Sequence, residues 1–214
     1  MNVTDVLDLL GIFVFAVSGC VVAVKHRFDM VGLVALGTVT GLAGGITRDV
    51  LIGEIPPVAL REWEWLVVPI VAAVVVAVLP GWVERLSQPV LVFDAAGLGL
   101  FAAVGASRAV DAPVSIPAAV LVGAISAIGG GLLRDVLAGE VPQIFSADSK
   151  LYAIPATVGA LVVVIGDELA LPDTPVQIGA AVIAFGLRMG ALHFGWHAPI
   201  PRRAIEVDDL RSRP

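Results

Sequence analysis

The chain is built from apolar segments that are long enough to cross a lipid bilayer and that lack a polar face. The stretch LVVPIVAAVVVAVLP (66–80) contains no charged side chain at all. A helix on the surface of a soluble protein would instead carry polar residues along one side. Hydrophobic residues make up 58% of the chain and charged residues 15%, whereas about a quarter of a soluble domain is charged. The sequence therefore predicts a polytopic membrane protein.

Seven such segments follow one another along the chain. A helix needs about 20 apolar residues to cross the hydrocarbon core, and short connections rich in Gly, Pro and charged residues separate the candidates. The predicted spans are residues 4–24, 30–52, 65–80, 90–110, 115–138, 151–166 and 175–193. We expect an all-α membrane protein with seven transmembrane helices in a single domain, residues 1–195, and a polar cytoplasmic tail, residues 196–214.

The distribution of basic residues predicts the orientation in the membrane. Loops that stay in the cytoplasm are enriched in Lys and Arg. With the N-terminus outside, the outer segments hold only Arg61 and, at the end of a span, Arg108. The inner segments then hold Lys25, Arg27, Arg85, Lys150, Arg202, Arg203, Arg211 and Arg213. We therefore predict a multi-pass protein of the inner (plasma) membrane, with the N-terminus outside and the C-terminus in the cytoplasm.

One motif occurs twice, as VTGLAGGITRDVLIGEIPP (39–57) and as SAIGGGLLRDVLAGEVPQ (126–143). A shift of 86 residues without a gap superimposes Arg48 on Arg134, and it also superimposes Asp8 on Asp94. Chance similarity between apolar segments does not reproduce spaced charged residues. Each copy covers three predicted spans, about 4–80 and 90–166, so the second copy is inverted relative to the first. The seventh span, about 175–193, lies outside the repeat.

The glycine pairs Gly44-Gly45 and Gly130-Gly131 lie past the middle of the second span of each repeat. Glycine lowers helix stability and lets another backbone approach. An interrupted helix inside a membrane is tolerated only where it is buried in protein or lines a water-filled cavity. We expect a break or kink beside a polar pathway. Close helix packing through small residues is the alternative.

Charged residues next to the glycines point to a functional site, because ionisable residues within a span are costly. Arg48 shares its predicted depth with Asp8, and Arg134 shares its depth with Asp94. We therefore predict that each arginine lies near the aspartate of its own repeat. Neighbouring residues on a helix point in different directions, so Arg48 is not required to pair with Asp49.

The four aspartates of this element outnumber its two arginines, which favours a path for cations. The four are Asp8, Asp49, Asp94 and Asp135. Three hydroxyl residues, Thr38, Thr40 and Ser126, precede the glycine pairs. They either line the pathway or donate hydrogen bonds to the backbone of their own helix.

The sequence argues against several other functions. A net charge of −6 without a basic patch argues against nucleic acid, and the single cysteine and three histidines lack metal-ligand spacing. No nucleophile–base pattern or phosphate-binding loop is present. We therefore predict no enzyme activity, no metal and no cofactor.

Two three-span repeats, each with Gly-Gly-x-x-Arg-Asp followed by Gly-Glu-x-Pro, and a seventh span resemble the prokaryotic branch of the trimeric intracellular cation (TRIC) channel family. The resemblance implies a homotrimer in membrane lipid, with a pore in each subunit. It implies permeation of monovalent cations, mainly K⁺ and also Na⁺, along kinked spans two and five. The pore elements carried over by position are Gly44, Gly45, Arg48, Asp49, Gly130, Gly131, Arg134 and Asp135.

Two departures from this resemblance leave alternatives open. Animal members carry Lys-Glu-Val and bind a phosphoinositide, whereas this chain has Arg-Asp-Val at 48–50 and 134–136. Some similar bacterial proteins have been assigned to glycine uptake, so a secondary transporter of a small solute is the alternative to a channel. A purely structural membrane scaffold is a third class.

Overall fold

The computed structural model describes residues 2–78, 89–146 and 150–198. Within these ranges the chain forms eight helices and no named strand. The helices are α1 (Val3–Lys25), α2 (Met30–Ile52), α3 (Val58–Arg61), α4 (Trp63–Val78), α5 (Pro89–Val110), α6 (Ile116–Leu137), α7 (Ala153–Glu168) and α8 (Asp173–Phe194).

Each of the seven predicted segments forms a helix, and the one-turn helix α3 was not predicted. Five helices, α1, α2, α5, α6 and α8, are long and apolar enough to cross a membrane, and α4 is a shorter apolar helix. The prediction of an all-helical membrane protein is confirmed. Residues 199–214 of the predicted tail and the loop with Arg85 lie outside the described residues, so the orientation stays a prediction.

The Gly-Glu element that ends each motif terminates a helix. Gly53 caps α2 with a φ of +82°, and Gly139 follows α6 with a φ of +76°, a left-handed conformation that glycine adopts without a steric penalty. The next amides donate back to the helix, from Glu54 to the Asp49 carbonyl at 2.8 Å and from Glu140 to the Asp135 carbonyl at 2.9 Å. These turns fix the chain direction directly after the arginines.

The predicted break at the glycine pairs is wrong, because α2 and α6 are continuous through both of them. The glycines instead allow the two helices to cross closely. A Cβ at Gly44 would collide with the Ser126 carbonyl oxygen, and a Cβ at Gly130 would collide with the Thr40 carbonyl oxygen. Packing through small residues is observed, and a kink beside a polar pathway, which is compatible with such packing, stays a prediction. Every backbone hydrogen bond of the helix is then kept, and the close contact offsets the low helix propensity of glycine.

Helices α1 and α5 form the centre of the molecule and run in opposite directions. The start of α1 lies beside the end of α5, because Asp5 forms an ion pair with Arg108 at 3.0 Å. Midway along, Phe15 of α1 stacks on Phe101 of α5, with ring centroids 5.4 Å apart. Both rings are fully buried in an apolar cluster. Helix α8 packs against α5 and α7.

Candidate functional site

The Arg48 cluster joins Asp8 of α1 with Arg48 and Asp49 of α2. The guanidinium group forms an ion pair with Asp8 Oδ2 at 3.0 Å, and Arg48 Nε donates to Asp49 Oδ1 at 2.9 Å. All three side chains are at most 2% exposed. A buried guanidinium that meets two carboxylates avoids the large penalty of an isolated charge.

The Arg134 cluster repeats this arrangement with Asp94 of α5 and with Arg134 and Asp135 of α6. Arg134 Nη1 donates to Asp94 Oδ1 at 2.7 Å, and Arg134 Nε donates to Asp135 Oδ1 at 2.9 Å. Two hydroxyls join this cluster. Ser18 accepts from Arg134 Nη1 at 2.6 Å, and Tyr152 donates to Asp94 Oδ1 at 3.3 Å.

The predicted Asp8–Arg48 and Asp94–Arg134 proximities are thus confirmed. Arg48 also pairs with its neighbour Asp49 at 2.8 Å, a contact that the sequence did not require. The second oxygen of Asp49 accepts from the Val58 amide at 2.9 Å, and that of Asp135 accepts from the Gln143 amide at 3.1 Å. Each Arg-Asp pair therefore also fixes the segment that follows its helix.

Two further arginines change the charge balance inferred from the sequence. Arg108 lies 3.5 Å from Asp8 Oδ2 in addition to its pair with Asp5. Arg188 of α8 stacks its guanidinium over the Tyr152 ring, 4.7 Å from the centroid. Arg108 brings Asp5 with it, so five aspartates lie near four arginines, and the excess of carboxylates is smaller than the motif alone predicts. A count restricted to the repeated motif missed Arg188, although any ionisable residue within a span signals a functional position.

The remaining predicted residues lie along the crossing of α2 and α6. Thr40 donates to the Leu36 carbonyl of its own helix at 2.6 Å. For Thr40, this is the predicted alternative of a hydrogen bond to the backbone of its own helix. The Ser126 hydroxyl is buried and has no hydrogen-bond partner among the described residues, and Thr38 is half-buried. A Cβ at Gly45 would lie 3.6 Å from Arg48, and a Cβ at Gly131 would collide with the Tyr152 hydroxyl.

The two clusters lie toward opposite ends of the bundle, with the phenylalanine stack between them. Asp8 and Ser18 are ten residues apart on α1, which corresponds to about 15 Å along the helix. Phe15 and Phe101 fill the space between the charged groups. This conformation therefore places an apolar barrier between two closed ion-pair clusters.

An open cavity of about 550 Å³ reaches the Arg48 end of the bundle. Arg108, which contacts Asp8, and its partner Asp5 are part of its wall, and charged side chains from α3, from α4 and from the residue between them complete the polar lining. These are Arg61, Glu62 and Glu64. Within the described ranges, no three His, Cys, Asp or Glu side chains are arranged to hold a metal ion.

Asp111, in the turn after α5 and outside the spans, has a carboxyl with a raised pKa. Burial raises the pKa of its carboxyl, and the nearby carboxylates of Asp173 and Asp167 raise it further. The folded state therefore holds this proton to higher pH than the unfolded state, and the associated stability falls as the pH rises through the raised pKa. We expect Asp173→Asn to lower the pKa of Asp111, measured by carboxyl ¹³C NMR titration. An unchanged pKa would contradict this coupling.

Comparison with known proteins places this chain in a family. The family model described as glycine transporter matches residues 5–80 and 91–168. A relative from Deinococcus radiodurans, called a UPF0126 membrane protein, is 38% identical over 184 residues, which cover 85% of this chain and 84% of that protein.

Two solved structures share the fold. One is a TRIC cation channel with 35% identity and a TM-score of 0.83, and the match covers 94% of this chain and 98% of that chain. The other is the TRIC trimeric intracellular cation channel orthologue from Rhodobacter sphaeroides, with 32% identity and a TM-score of 0.84 over 91% of this chain and 100% of that chain. By sequence over both matched segments this chain belongs to the family of the glycine transporter model, and by sequence and backbone over at least nine-tenths of its length it belongs with the prokaryotic TRIC channels.

Proposed function

We propose that this protein is a monovalent cation channel, permeable to K⁺ and Na⁺, with one pore in each subunit. The observation that carries the proposal is the match in backbone and sequence to solved TRIC cation channels. The charge count of the motif adds little, because Arg108 and Arg188 reduce the excess of aspartates to one.

The proposed path follows the crossing of α2 and α6 and passes both clusters and the phenylalanine stack. Charged groups buried beside this crossing are costly, and ionisable residues within a span commonly mark a pathway. In the conformation described here both ion-pair clusters are closed, so conduction requires the stack and both clusters to rearrange. The predicted pore residues are thereby assigned to the walls of a gated path.

The architecture that we propose around this path has three parts. Helices α1, α2 and α4 and helices α5, α6 and α7 form two inverted three-helix repeats, with α8 as the seventh span. The matching contacts of Arg48 and Arg134 and the opposite directions of α1 and α5 support this symmetry. The N-terminus lies outside, so that the Arg134 cluster is nearer the cytoplasm. By analogy with the trimeric orthologue from Rhodobacter sphaeroides, three copies assemble in the inner membrane.

The description of the matching family model as glycine transporter supports one alternative, a secondary transporter of a small solute such as glycine. A transporter needs a closed site near the midplane that opens alternately to each side. Two stacked phenylalanine rings lie between the two clusters, and an apolar contact there favours a gated channel over a polar solute site.

Recordings from purified protein in planar bilayers test the proposal. We expect unitary K⁺ currents whose reversal potential follows the K⁺ gradient. Asp8→Asn removes a carboxylate from the path without changing its shape, so the unitary conductance is expected to change severalfold. Saturable glycine exchange without unitary currents would overturn the channel in favour of the transporter.

Asp29→Asn is the matched control for this experiment. Asp29 is exposed and caps α2 by accepting from the Gly32 amide at 2.7 Å. Asparagine caps a helix about as well as aspartate, so the fold and the conductance should stay at the wild-type level. Equal conductance of Asp8→Asn and the wild type would remove Asp8 from the path.

A further inference from the structure

Arg188 is a buried arginine outside both repeated motifs, and among the described residues its hydrogen bonds all go to the segment between α6 and α7. It is 1% exposed. Nη1 donates to the Lys150 carbonyl at 2.9 Å and to the Leu151 carbonyl at 2.8 Å, and Nη2 donates to the Gln143 side-chain oxygen. Among the residues that the structure describes, no carboxylate forms an ion pair with Arg188. A buried charge satisfied mainly by neutral oxygens implies a specific task for this guanidinium.

The stretch held by Arg188 carries Tyr152, the residue that covers the Asp94–Arg134 pair. The Tyr152 ring lies under the Arg188 guanidinium, and its hydroxyl donates to Asp94. The amide just before it, that of Leu151, donates to the Trp196 carbonyl at 2.9 Å. Helix α8 and the residues directly after it thus hold both the backbone and the ring of this position.

Tyr152 also breaks the internal symmetry of the sequence. The shift that superimposes the two motifs places Tyr152 on Leu66, which has no hydroxyl and no ring. The Arg48 cluster accordingly has no tyrosine over its Asp8–Arg48 pair and instead connects through Arg108 to the open cavity. The tyrosine therefore contacts only the cluster at the Arg134 end of the bundle.

We propose that Arg188 is a positioning residue that keeps Tyr152 packed over the Asp94–Arg134 pair, and that Tyr152 closes the ion path at this end. The second half of this inference rests on the proposed channel function. A cation that approaches Asp94 meets the phenol ring, and behind it a second positive charge. Opening requires the ring to leave Asp94, and the stacking and the two backbone contacts of Arg188 oppose that movement.

Single-channel recordings of Arg188→Gln, Tyr152→Ala and the double variant test the inference. Arg188→Gln removes the stacking and at least one of the charge-assisted hydrogen bonds, so we expect the ratio of open to closed time to rise about tenfold. Tyr152→Ala should raise the ratio by at least as much. The double variant should match Tyr152→Ala alone, because Arg188 acts through the tyrosine. Arg188→Lys, which keeps the charge but not the planar fork, should lie between the wild type and Arg188→Gln.

Gln177→Leu is the matched control on the same helix. Gln177 is buried and lies eleven residues before Arg188, about three turns, so both point to the same side of α8. Its side chain donates to Ser107 at 2.8 Å and contacts Thr4, far from Tyr152. Gln177→Leu should leave the ratio unchanged. An unchanged ratio in Arg188→Gln, or multiplying effects in the double variant, would overturn the inference.

Hydrogen exchange separates failure of this inference from failure of the channel function. Arg188→Gln should speed exchange of the Leu151 and Tyr152 amides, and Gln177→Leu should not. If the wild type passes no current, the channel function fails and the exchange result alone decides the positioning role. Unchanged exchange in Arg188→Gln would refute that role.

Discussion

Replacing Arg134 by leucine is expected to lower the free energy of unfolding by about 3–5 kcal/mol. The substitution leaves the carboxylates of Asp94 and Asp135 buried, and Arg134 donates hydrogen bonds to both of them. Leucine fills part of the space but supplies no positive charge. The change is measured by chemical or thermal unfolding of the purified protein in detergent.

Arg61→Leu is the control that distinguishes the loss of a buried ion pair from the loss of an exposed one. Arg61 pairs with Glu54, and both side chains are more than 40% exposed. An exposed ion pair contributes up to about 1 kcal/mol, so this substitution should change the stability by no more than that. Arg134→Lys keeps the charge but cannot reproduce the forked contacts. Its loss of stability should lie between those of Arg61→Leu and Arg134→Leu. A loss in Arg134→Leu no larger than that in Arg61→Leu would show that the Arg134 cluster does not stabilise the fold.

The sequence predicted the helices and the two Asp–Arg pairs because these features depend on local composition and on one internal offset. Seven apolar segments without a polar face leave few alternatives to membrane helices. The offset of 86 residues superimposes Asp8 on Asp94 and Arg48 on Arg134. Two residues that keep the same separation twice, at matching depth, are expected to be partners.

The partners that the sequence did not predict come from outside the repeat or depart from its symmetry. Arg188 lies on α8, and Tyr152 replaces a leucine of the first half, so the internal comparison contains no information on either. Arg108 was assigned to the end of a span for the orientation and not to a cluster. Its contacts with Asp5 and Asp8 depend on how the ends of α1 and α5 meet.

The predicted helix break failed because glycine has two uses that a sequence does not distinguish. The same residue type lowers helix propensity and removes the Cβ that prevents two backbones from touching. Which effect dominates depends on the neighbouring helix, and here the carbonyl oxygens of Thr40 and Ser126 occupy the space of the missing Cβ atoms. At these glycines the contact between α2 and α6 therefore outweighs the low helix propensity, and both helices stay continuous.

Gly130→Ala is expected to destabilise the protein by about 1–3 kcal/mol, the usual range for an overpacked position. Alanine is the better helix former by about 1 kcal/mol, but its Cβ would collide with the carbonyl oxygen of Thr40, which is fixed in a helix backbone. Relief requires α2 and α6 to move apart along the proposed path. The loss is measured by unfolding in detergent, together with the open-channel conductance.

Gly179→Ala on α8 is the matched control, because no atom lies within 4 Å of the Cβ that it would add. It should be neutral or should stabilise the protein by up to about 1 kcal/mol through helix propensity alone. Gly44→Ala should resemble Gly130→Ala, since its Cβ would meet the Ser126 carbonyl oxygen at the same crossing. The double variant should cost less than the sum of the single variants, because one separation of the helices relieves both collisions. If Gly130→Ala proves as harmless as Gly179→Ala, the crossing is not closely packed and the continuous helices need another explanation.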